Sequence, residues 1–322
     1  MRVLLVGAGS VGQVYGWHLQ QAGVEVHVMV RPKYAEEARG GFVLYPPGAN
    51  VPVRFVPNGV VTSAAEVATS RWDQVWLCIA SYALRGDWLP ELVSAMGDAT
   101  LVSLLPGLRD RDVLAPLVPP ARLVTGLISF SSWHAPLANE PLPEHGMAWW
   151  HPPMTPSLFQ GERAVVDAIV AALKKGGCPA AAGDATVAAA RGSSVLAPVV
   201  AAMECGGWSF AGLREARWAG LAAAAAREAT AISCAHLQIA SGPTFFLTPT
   251  LIRVATRSAP LLTPMDFELF LKTHFSKVGE QTLLALDTWI TEGRARQLPV
   301  DALSTLAGEL QRVRGQGGDG AT

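Results

Sequence analysis

The sequence predicts an α/β domain with a doubly wound parallel sheet, followed by an all-helical domain. Two patterns lead to this prediction. In the first half, apolar runs alternate with segments of helical spacing, and after Gly161 no clear period-two strand follows. The 322 residues suffice for two domains. Because 50% of the residues are hydrophobic and only 16% are charged, disorder driven by high charge is excluded.

Five apolar runs are predicted to form the sheet, and several are apolar on both faces, as in strands covered by helices. They are Val3–Val6, Val24–Val30, Gln74–Ile79, Thr100–Leu105 and Arg122–Ile128. The helices between them are predicted at Ser10–Ala22, Ser63–Thr69, Leu84–Met96 and Arg109–Leu117. The Trp- and Pro-rich segment Trp133–Pro156 is expected to form extra edge strands or long loops.

The second domain is predicted to be all-helical. Glu162–Lys175 has helical spacing and stops at a Gly-Gly pair, the chain is rich in Ala from about Asp184, and Asp301–Val313 is predicted to be the last helix. We therefore expect an α/β domain over residues 1–180, a helical domain over 181–314 and a flexible tail over 315–322. Ala-rich helices pack closely, so the helical domain could also form a homodimer contact.

Composition limits the partners and the location. The formal net charge of −1 offers no positive excess for a phosphate backbone, so nucleic acid is not expected as a main partner. The longest charge-free apolar stretch, Ala229–Ile252, contains two prolines and His236 and is a poor membrane span. The four cysteines are scattered without metal-ligand spacing, so no metal site is predicted. Without a signal-peptide layout, a reducing cytoplasmic location is expected.

A glycine motif joins the first predicted strand to the first predicted helix. Gly7 permits a tight turn, Gly9 lets the backbone approach a pyrophosphate, and Gly12 lets the helix pack closely. Ser10 and Val11 open the helix, whose free N–H groups attract phosphate. A strand before the motif and a helix after it, with a second strand ending near residue 30, predict a Rossmann-like dinucleotide-binding domain.

The end of the second strand bears on which dinucleotide binds. NAD-binding domains usually place Asp or Glu here to accept hydrogen bonds from the ribose, whereas this chain has Arg31-Pro-Lys33. Arg pairs with a 2′-phosphate, with Lys33 as possible support, so NADP(H) is the expected cofactor. Two ordinary surface cations are the alternative interpretation.

These features together resemble the ketopantoate reductase (2-dehydropantoate 2-reductase) family. The opening Gly7–Gly16 is close to the family's, Lys277–Glu280 resembles its basic-x-Thr-Glu stretch, and Gly293–Val300 resembles its Gly…Pro segment near the end of the chain. The resemblance implies a Rossmann domain joined to a helical domain like that of 6-phosphogluconate dehydrogenase, with NADPH reducing a branched 2-oxo acid. It places Glu280 on the family's substrate-binding carboxylate.

Several positions depart from the family pattern. Pro106 occupies the position of an Asn that assists cofactor and substrate placement, and Ala80 stands where a Lys often follows the fourth strand. The catalytic Lys position falls near Arg191–Ser193, and no Lys occurs between residues 175 and 272. Leu196 and Val200 replace the matching Asn positions, which suggests a more apolar pocket.

The missing Lys has a chemical consequence, because hydride transfer to a ketone creates an alkoxide that needs a proton. Arg191 can bind a substrate carboxylate but holds its proton too tightly to act as an acid. Lys277 lies three residues before Glu280, so both are expected on one helix face, where Lys277 supplies the ammonium or forms a surface ion pair. Ser193 is either a donor to substrate or a helix N-terminal residue.

Three weaker candidates remain. His134 is either a titrating group of the site or an ordinary loop residue. The Trp149-Trp150-His151 run either stacks on an aromatic ligand or packs at the edge of a sheet. Glu204 is either an acid of the site or a carboxylate on a helix face. The predicted function is NADP-dependent reduction of a small 2-oxo acid or related carbonyl. A reductase of a different carbonyl or an imine, or an inactive NADP-binding sensor, are the alternatives.

Overall fold

The computed structural model describes residues 1–138 and 140–318. It divides into two compact units. The first comprises Met1–Pro106 and Asp110–Thr186, and the second begins at Val187 and also includes Gly107–Arg109. The division thus falls at residue 186, whereas the sequence placed it at residue 180. Residues 319–322 of the predicted tail lie outside the described residues.

All described strands belong to the first unit. In chain order they are β1 (Arg2–Val6), β2 (Glu25–Met29), β3 (Phe42–Tyr45), β4 (Val53–Phe55), β5 (Gly59–Val61), β6 (Gln74–Leu77), β7 (Thr100–Ser103), β8 (Leu123–Leu127), β9 (Ser131–Ala135), β10 (Gly146–Trp150), β11 (Ser157–Gln160) and β12 (Ala180–Ala182).

The main sheet has the order β12-β11-β8-β7-β6-β1-β2-β5, and every neighbouring pair except β8 with β11 is parallel. All five predicted strands lie in it, so the predicted parallel sheet is confirmed. Both faces are covered: Val3 and Leu5 of β1 pack into one hydrophobic cluster, and Leu4 and Val6 pack into another. This alternation follows from the two-residue period of a strand.

A second sheet has the order β4-β3-β10-β9. The Trp-rich segment predicted as edge strands or loops supplies most of β9 and all of β10, and both strands join this separate sheet. Strands β3, β4 and β5 escaped prediction because they are only three or four residues long. A run that short carries little periodic signal.

Six helices complete the first unit. They are α1 (Ser10–Gln21), α2 (Ala35–Gly40), α3 (Ala64–Ala68), α4 (Trp88–Ala95), α5 (Asp110–Leu114) and α6 (Arg163–Lys175). The helix predicted from Leu84 begins only at Trp88, because Gly86 has φ of +125° and interrupts helical backbone. Helix α6 ends at the predicted Gly-Gly pair, where Gly177 has φ of +82°.

The second unit is all-helical in its described part, as predicted. Its helices are α7 (Ala185–Cys205, of which residues from Val187 onward belong to this unit), α8 (Phe210–Leu213), α9 (Ala216–His236), α10 (Pro249–Leu262), α11 (Phe267–Lys277), α12 (Gly279–Ala295) and α13 (Asp301–Gly318). Helix α9 contacts α10, α12 and α13, and buries Ala219, Ala222 and Ala226. Small side chains let these helices approach closely. The last helix runs five residues beyond the predicted Val313.

One described helix, α7, is long and apolar enough to cross a membrane by those two criteria alone, and 44% of its apolar window is buried. A single such helix is weak evidence, since core helices meet the same criteria. The stretch Ala229–Ile252 considered from the sequence is not one helix. It comprises the end of α9, a non-helical segment over residues 237–248 and the start of α10.

Candidate functional site

The glycine turn after β1 has the form that the sequence predicts. Gly7 has φ of +98°, donates its N–H to the carbonyl of Met29 at 2.9 Å, and would place a Cβ 2.8 Å from the carbonyl oxygen of Cys78. A Cβ on Gly12 would lie 2.2 Å from the carbonyl oxygen of Gly7. Neither position can hold a side chain without moving backbone, so the close packing assigned to Gly12 is that of α1 on the turn itself.

Gly9 differs from the other two glycines of the motif. A Cβ there would meet no atom within 4 Å, and Gly9 is exposed at the N-cap of α1. No side chain caps this helix, and its first turn contains no acidic residue. Ser10 and Val11, the first helical residues, are half-buried beside it, while Gln13 donates to the carbonyl of Ala8 at 2.8 Å and braces the turn. The arrangement can accept a phosphate.

The cations after β2 flank an aromatic ring that the sequence analysis did not single out. The Arg31 guanidinium carbon lies 5.2 Å, and the Lys33 ammonium nitrogen 4.8 Å, from the centroid of the Tyr34 ring. All three side chains are exposed. The nearby carboxylate of Glu36 is paired with Arg39 within α2. Two exposed cations thus remain near the ring to interact with a phosphate.

The same edge of the sheet carries Ala80 and Pro106, because β1, β6 and β7 are parallel neighbours and end on one side. Ala80 caps a single 3₁₀ turn over Ser81–Leu84. Ser81 donates to the carboxylate of Asp110 at 2.6 Å, and both are buried. Pro106 is exposed and lacks an N–H, so neither Ala80 nor Pro106 replaces the polar side chains of the resembling family. Both can offer apolar contact and a backbone carbonyl, and Ala80 also keeps its backbone N–H.

Arg191 and the two serines that follow lie inside α7, well past its start. Arg191 is exposed, and its Nη2 lies 3.9 Å from where a Cβ on Gly242 would be. Ser193 donates to the carbonyl of Ala190 at 3.2 Å, and the buried Ser194 donates to the carbonyl of Arg191 at 2.9 Å. Both hydroxyls bond to their own helix, and the interpretation of Ser193 as a helix N-terminal residue is wrong because α7 begins at Ala185.

Lys277 and Glu280 do not share a helix face. Lys277 ends α11, Val278 interrupts the helical backbone, and Glu280 lies in the first turn of α12. Both side chains are exposed, and within the described residues neither forms an ion pair, so the surface-pair interpretation is also not supported. The carboxylate of Glu280 is favoured at this helix N-terminus by the helix dipole.

The start of α12 is fixed by an ion pair between the half-buried Arg314 and the buried Glu204. Arg314 donates to both carboxylate oxygens of Glu204 at 2.6 Å and to the carbonyl of Gly279 at 3.1 Å. The hydrogen bond from Arg314 to Glu204 raises the pKa of the guanidinium above its ordinary value. Glu204, a candidate site acid from the sequence, therefore joins α7 to α13 and holds the residue next to Glu280.

A second charged cluster was not anticipated. Glu292 is buried and contacts Arg109 at 3.2 Å, His236 at 3.2 Å and Arg296. Burial alone would raise the pKa of Glu292, but the hydrogen bond from His236 and the two arginines hold it below its usual value. All four residues of the cluster belong to the second unit. Glu292 and Arg296 have i,i+4 spacing, but no spacing signal links them to Arg109 or His236.

The remaining sequence candidates are structural or apolar. Trp149 is 1% exposed and packs against Trp17 and His18, so packing explains it better than ligand stacking. Val200 is fully buried, so it does not offer surface to the apolar pocket suggested from the sequence. Leu196 is 46% exposed. His134 is exposed on β9 and has interactions within the described chain.

One family model matches the N-terminal part of the chain. Residues 3–136 match the family model of ketopantoate reductase PanE/ApbA. Over these residues the chain is similar to ketopantoate reductases. The resemblance read from the sequence is thereby confirmed, together with the predicted fold class. No curated relative matches the chain.

Solved structures of ketopantoate reductases share the fold over nearly the whole chain. The family member from Ralstonia eutropha JMP134 has a TM-score of 0.76 at 17% identity, covering 98% of this chain and 99% of its own. The 2-dehydropantoate 2-reductase from Geobacter metallireducens GS-15 has a TM-score of 0.70 at 18% identity, covering 97% and 99%. D-mandelate dehydrogenase in a ternary structure with NADH and anilino(oxo)acetate has a TM-score of 0.75 at 12% identity, covering 98% and 99%. These solved structures, all below 20% identity, show that the chain shares their fold.

Proposed function

We propose that the chain is an NADP(H)-dependent oxidoreductase that transfers hydride to a small 2-oxo acid, with 2-dehydropantoate among the candidates. The glycine turn carries this proposal. A side chain at Gly7 or Gly12 would clash with backbone, so these two residues fix the conformation of the turn. The space around Gly9 is free, and it adjoins the N-terminus of α1, which no side chain caps. A pyrophosphate satisfies the free N–H groups of such a helix end. When bound, the nicotinamide supplies or accepts the hydride.

Arg31 and Lys33 support NADP(H) over NAD(H). Both are exposed beside Tyr34, and the second strand is followed by these cations where NAD-binding domains usually place a carboxylate. A guanidinium pairs with the 2′-phosphate, and a carboxylate at the same place would repel it. The mandelate dehydrogenase neighbour binds NADH, so cofactor choice within this fold must be measured for each chain.

Three residues of the helical unit are proposed to act on substrate. The exposed guanidinium of Arg191 binds the carboxylate of the 2-oxo acid, and Glu280 accepts a hydrogen bond from a substrate hydroxyl. The reduced carbonyl becomes an alkoxide and must gain a proton. We assign this proton to the ammonium of Lys277, which is exposed and unpaired within the described chain. Ser193 is given no role, because its hydroxyl bonds to its own helix.

A second candidate substrate class is favoured by exposed aromatic side chains that follow Gly242 in sequence. Gly242 adjoins the Arg191 side chain, and the same non-helical segment exposes Phe245 (81%) and Phe246 (50%). Exposed aromatic side chains in the segment that follows Gly242 suit a 2-oxo acid with an aryl or bulky apolar group. Reduction of such an acid is the alternative function. An imine reductase and a catalytically inactive NADPH sensor remain the further alternatives.

The deciding experiment combines binding and turnover. We expect NADPH to bind more tightly than NADH, and absorbance loss with NADPH to occur with a 2-oxo acid, compared across 2-dehydropantoate, aryl 2-oxo acids and imines. The Arg191→Lys variant keeps the charge but loses the planar fork, and should raise KM for the acid with little change in NADPH affinity. Tight NADPH binding without oxidation by any carbonyl or imine would support the sensor and refute the reductase.

A further inference from the structure

Two histidines and a cysteine meet inside the first unit. His18 lies near the end of α1, His151 directly follows β10, and Cys178 lies between α6 and β12. Their possible ligand atoms are all within 4.8 Å of one another. Eight residues of α1 separate His18 from Ser10, which is about 12 Å along the helix axis. The cluster is therefore separate from the glycine turn.

The ring of His18 has a defined tautomer. His18 is 3% exposed, and its Nδ1 lies 2.8 Å from the carbonyl oxygen of Gly176. Because a carbonyl only accepts, Nδ1 carries the proton and donates it. Burial lowers the pKa of His18, so the ring is neutral near neutral pH and Nε2 holds a lone pair. That lone pair has no hydrogen-bond partner within the described residues.

His151 and Cys178 also place polar atoms in the interior with few or no hydrogen-bond partners. Both ring nitrogens of His151 are buried without a hydrogen-bond partner in the described chain. Burial and the nearby His18 lower the pKa of His151 to about 4. Cys178 is 1% exposed, its thiol has only a 3.9 Å contact to the carbonyl of Pro179, and burial raises its pKa to about 12. A buried polar group without a hydrogen-bond partner is costly, so the two imidazoles point to a ligand.

We propose that His18 Nε2, one ring nitrogen of His151 and Cys178 Sγ bind a single d¹⁰ metal ion, Cu(I) or Zn(II). Imidazole nitrogen and thiolate sulfur select soft and borderline metals, whereas Mg²⁺ and Ca²⁺ require oxygen. The hydrogen bond from His18 to Gly176 is of the kind that orients a metal-ligating histidine through its other nitrogen. Gly176 is held in place, since a Cβ there would lie 1.8 Å from the carbonyl oxygen of His18.

Charge favours Cu(I) over Zn(II). The cluster contains no carboxylate, so its only anionic ligand is the thiolate of Cys178. Cu(I) with one thiolate and two neutral imidazoles is uncharged, while Zn(II) leaves one positive charge in a buried site. Metal binding forms the metal–sulfur bond and releases the thiol proton to solvent, with no change of oxidation state.

The site must contract on binding. Bond lengths of about 2.0–2.3 Å place three donor atoms about 3.3–3.8 Å apart, so the largest separations must shorten by about 1 Å. His151 belongs to neither a helix nor a strand and is half-buried, so it is the ligand best able to move. The three ligands come from separate segments, which is why no spacing in the sequence indicated a metal site.

Direct binding tests the proposal. The reduced, chelator-stripped full chain is titrated with Cu(I) against a chromophoric Cu(I) chelator, and with Zn(II) and Co(II) in parallel. We expect one equivalent of Cu(I), thiolate-to-cobalt charge-transfer absorption with Co(II), and at least tenfold weaker binding with no such absorption in Cys178→Ser. Cys234→Ser, which alters an equally buried cysteine in α9, should bind like the parent. Binding of Zn(II) alone would overturn the charge argument.

The pH dependence gives a second measurement. Because only the thiol must lose a proton, the association constant should rise about tenfold per pH unit between about pH 7 and 9. His151→Gln alters a half-buried ligand and serves if Cys178→Ser does not fold. Absence of stoichiometric binding by either metal, or unchanged binding in both variants, would overturn the site.

Discussion

Replacing Gly9 or Gly12 of the glycine turn by alanine should affect two different properties of the protein. A Cβ on Gly12 would lie 2.2 Å from the carbonyl oxygen of Gly7, whereas a Cβ on Gly9 would meet nothing within 4 Å. Gly9 also has φ of −74°, which alanine adopts freely. We therefore expect Gly12→Ala to change the free energy of unfolding and Gly9→Ala to change cofactor affinity.

The magnitudes follow from these distances. Ordinary contact begins at 3.4 Å, so Gly12→Ala must move backbone by more than 1 Å from the 2.2 Å starting point. Overpacking of this kind costs about 1–3 kcal/mol. For Gly9→Ala, reduced unfolded-state entropy stabilises by about 0.4–1 kcal/mol and offsets the poorer N-cap. Its methyl group occupies the approach of the pyrophosphate, and losing one charged hydrogen bond of about 1.5–3 kcal/mol weakens binding by about 10- to 150-fold.

The assay pairs urea unfolding without cofactor with NADPH titration by fluorescence. Gly12→Ala should lower the unfolding midpoint, and Gly9→Ala should leave it within about 0.5 kcal/mol of the parent while weakening NADPH binding. The reasoning is refuted if Gly9→Ala binds NADPH as tightly as the parent. It is equally refuted if Gly12→Ala unfolds at the parent's midpoint.

Three further substitutions test the site. Arg31→Ala should weaken NADPH binding about tenfold or more and leave NADH binding unchanged. The control, Arg39→Ala, alters an exposed arginine in α2 and should change the affinity for neither cofactor. Equal effects of Arg31→Ala on both cofactors would contradict the assignment of Arg31 to the 2′-phosphate. Lys277→Met should lower kcat at least tenfold with NADPH affinity retained, and an unchanged kcat would exclude it as proton donor. Glu292→Gln should destabilise the helical unit by about 1–3 kcal/mol. Because the pKa of Glu292 in the folded state is lowered from 4.5, the parent should be more stable than Glu292→Gln above pH 4.5. This difference in the free energy of unfolding should vanish as the pH falls below that value. A difference in urea unfolding that does not depend on pH would contradict the role of the cluster.

Much of the fold could be predicted because its signals are local. Apolar runs such as those of β1 and β6 indicate covered strands wherever they occur, and the Gly-Gly pair ends α6 through backbone conformation alone. The shortest strands gave no such signal. Gly86 stops the extension of α4 toward Leu84, a break that helical spacing did not predict.

The site residues, too, could be predicted only where the signal is local in sequence. The cofactor turn and Arg31 were read from adjacent residues, and the structure adds Tyr34 beside the two cations. In the helical unit, prediction from spacing placed Lys277 and Glu280 on one face, but the non-helical Val278 separates them. A three-residue spacing implies a shared face only where the helix is continuous.

The sequence by itself determined the glycine turn and five strands of the main sheet, because these depend on φ, ψ and contacts between residues a few positions apart. Only the tertiary structure decided which distant side chains meet. Arg109 reaches Glu292, and His18 meets His151 and Cys178, because helix packing and sheet order bring together segments remote in sequence. Hydrophobic burial fixes that packing without regard to residue spacing, so such groupings leave no pattern along the chain.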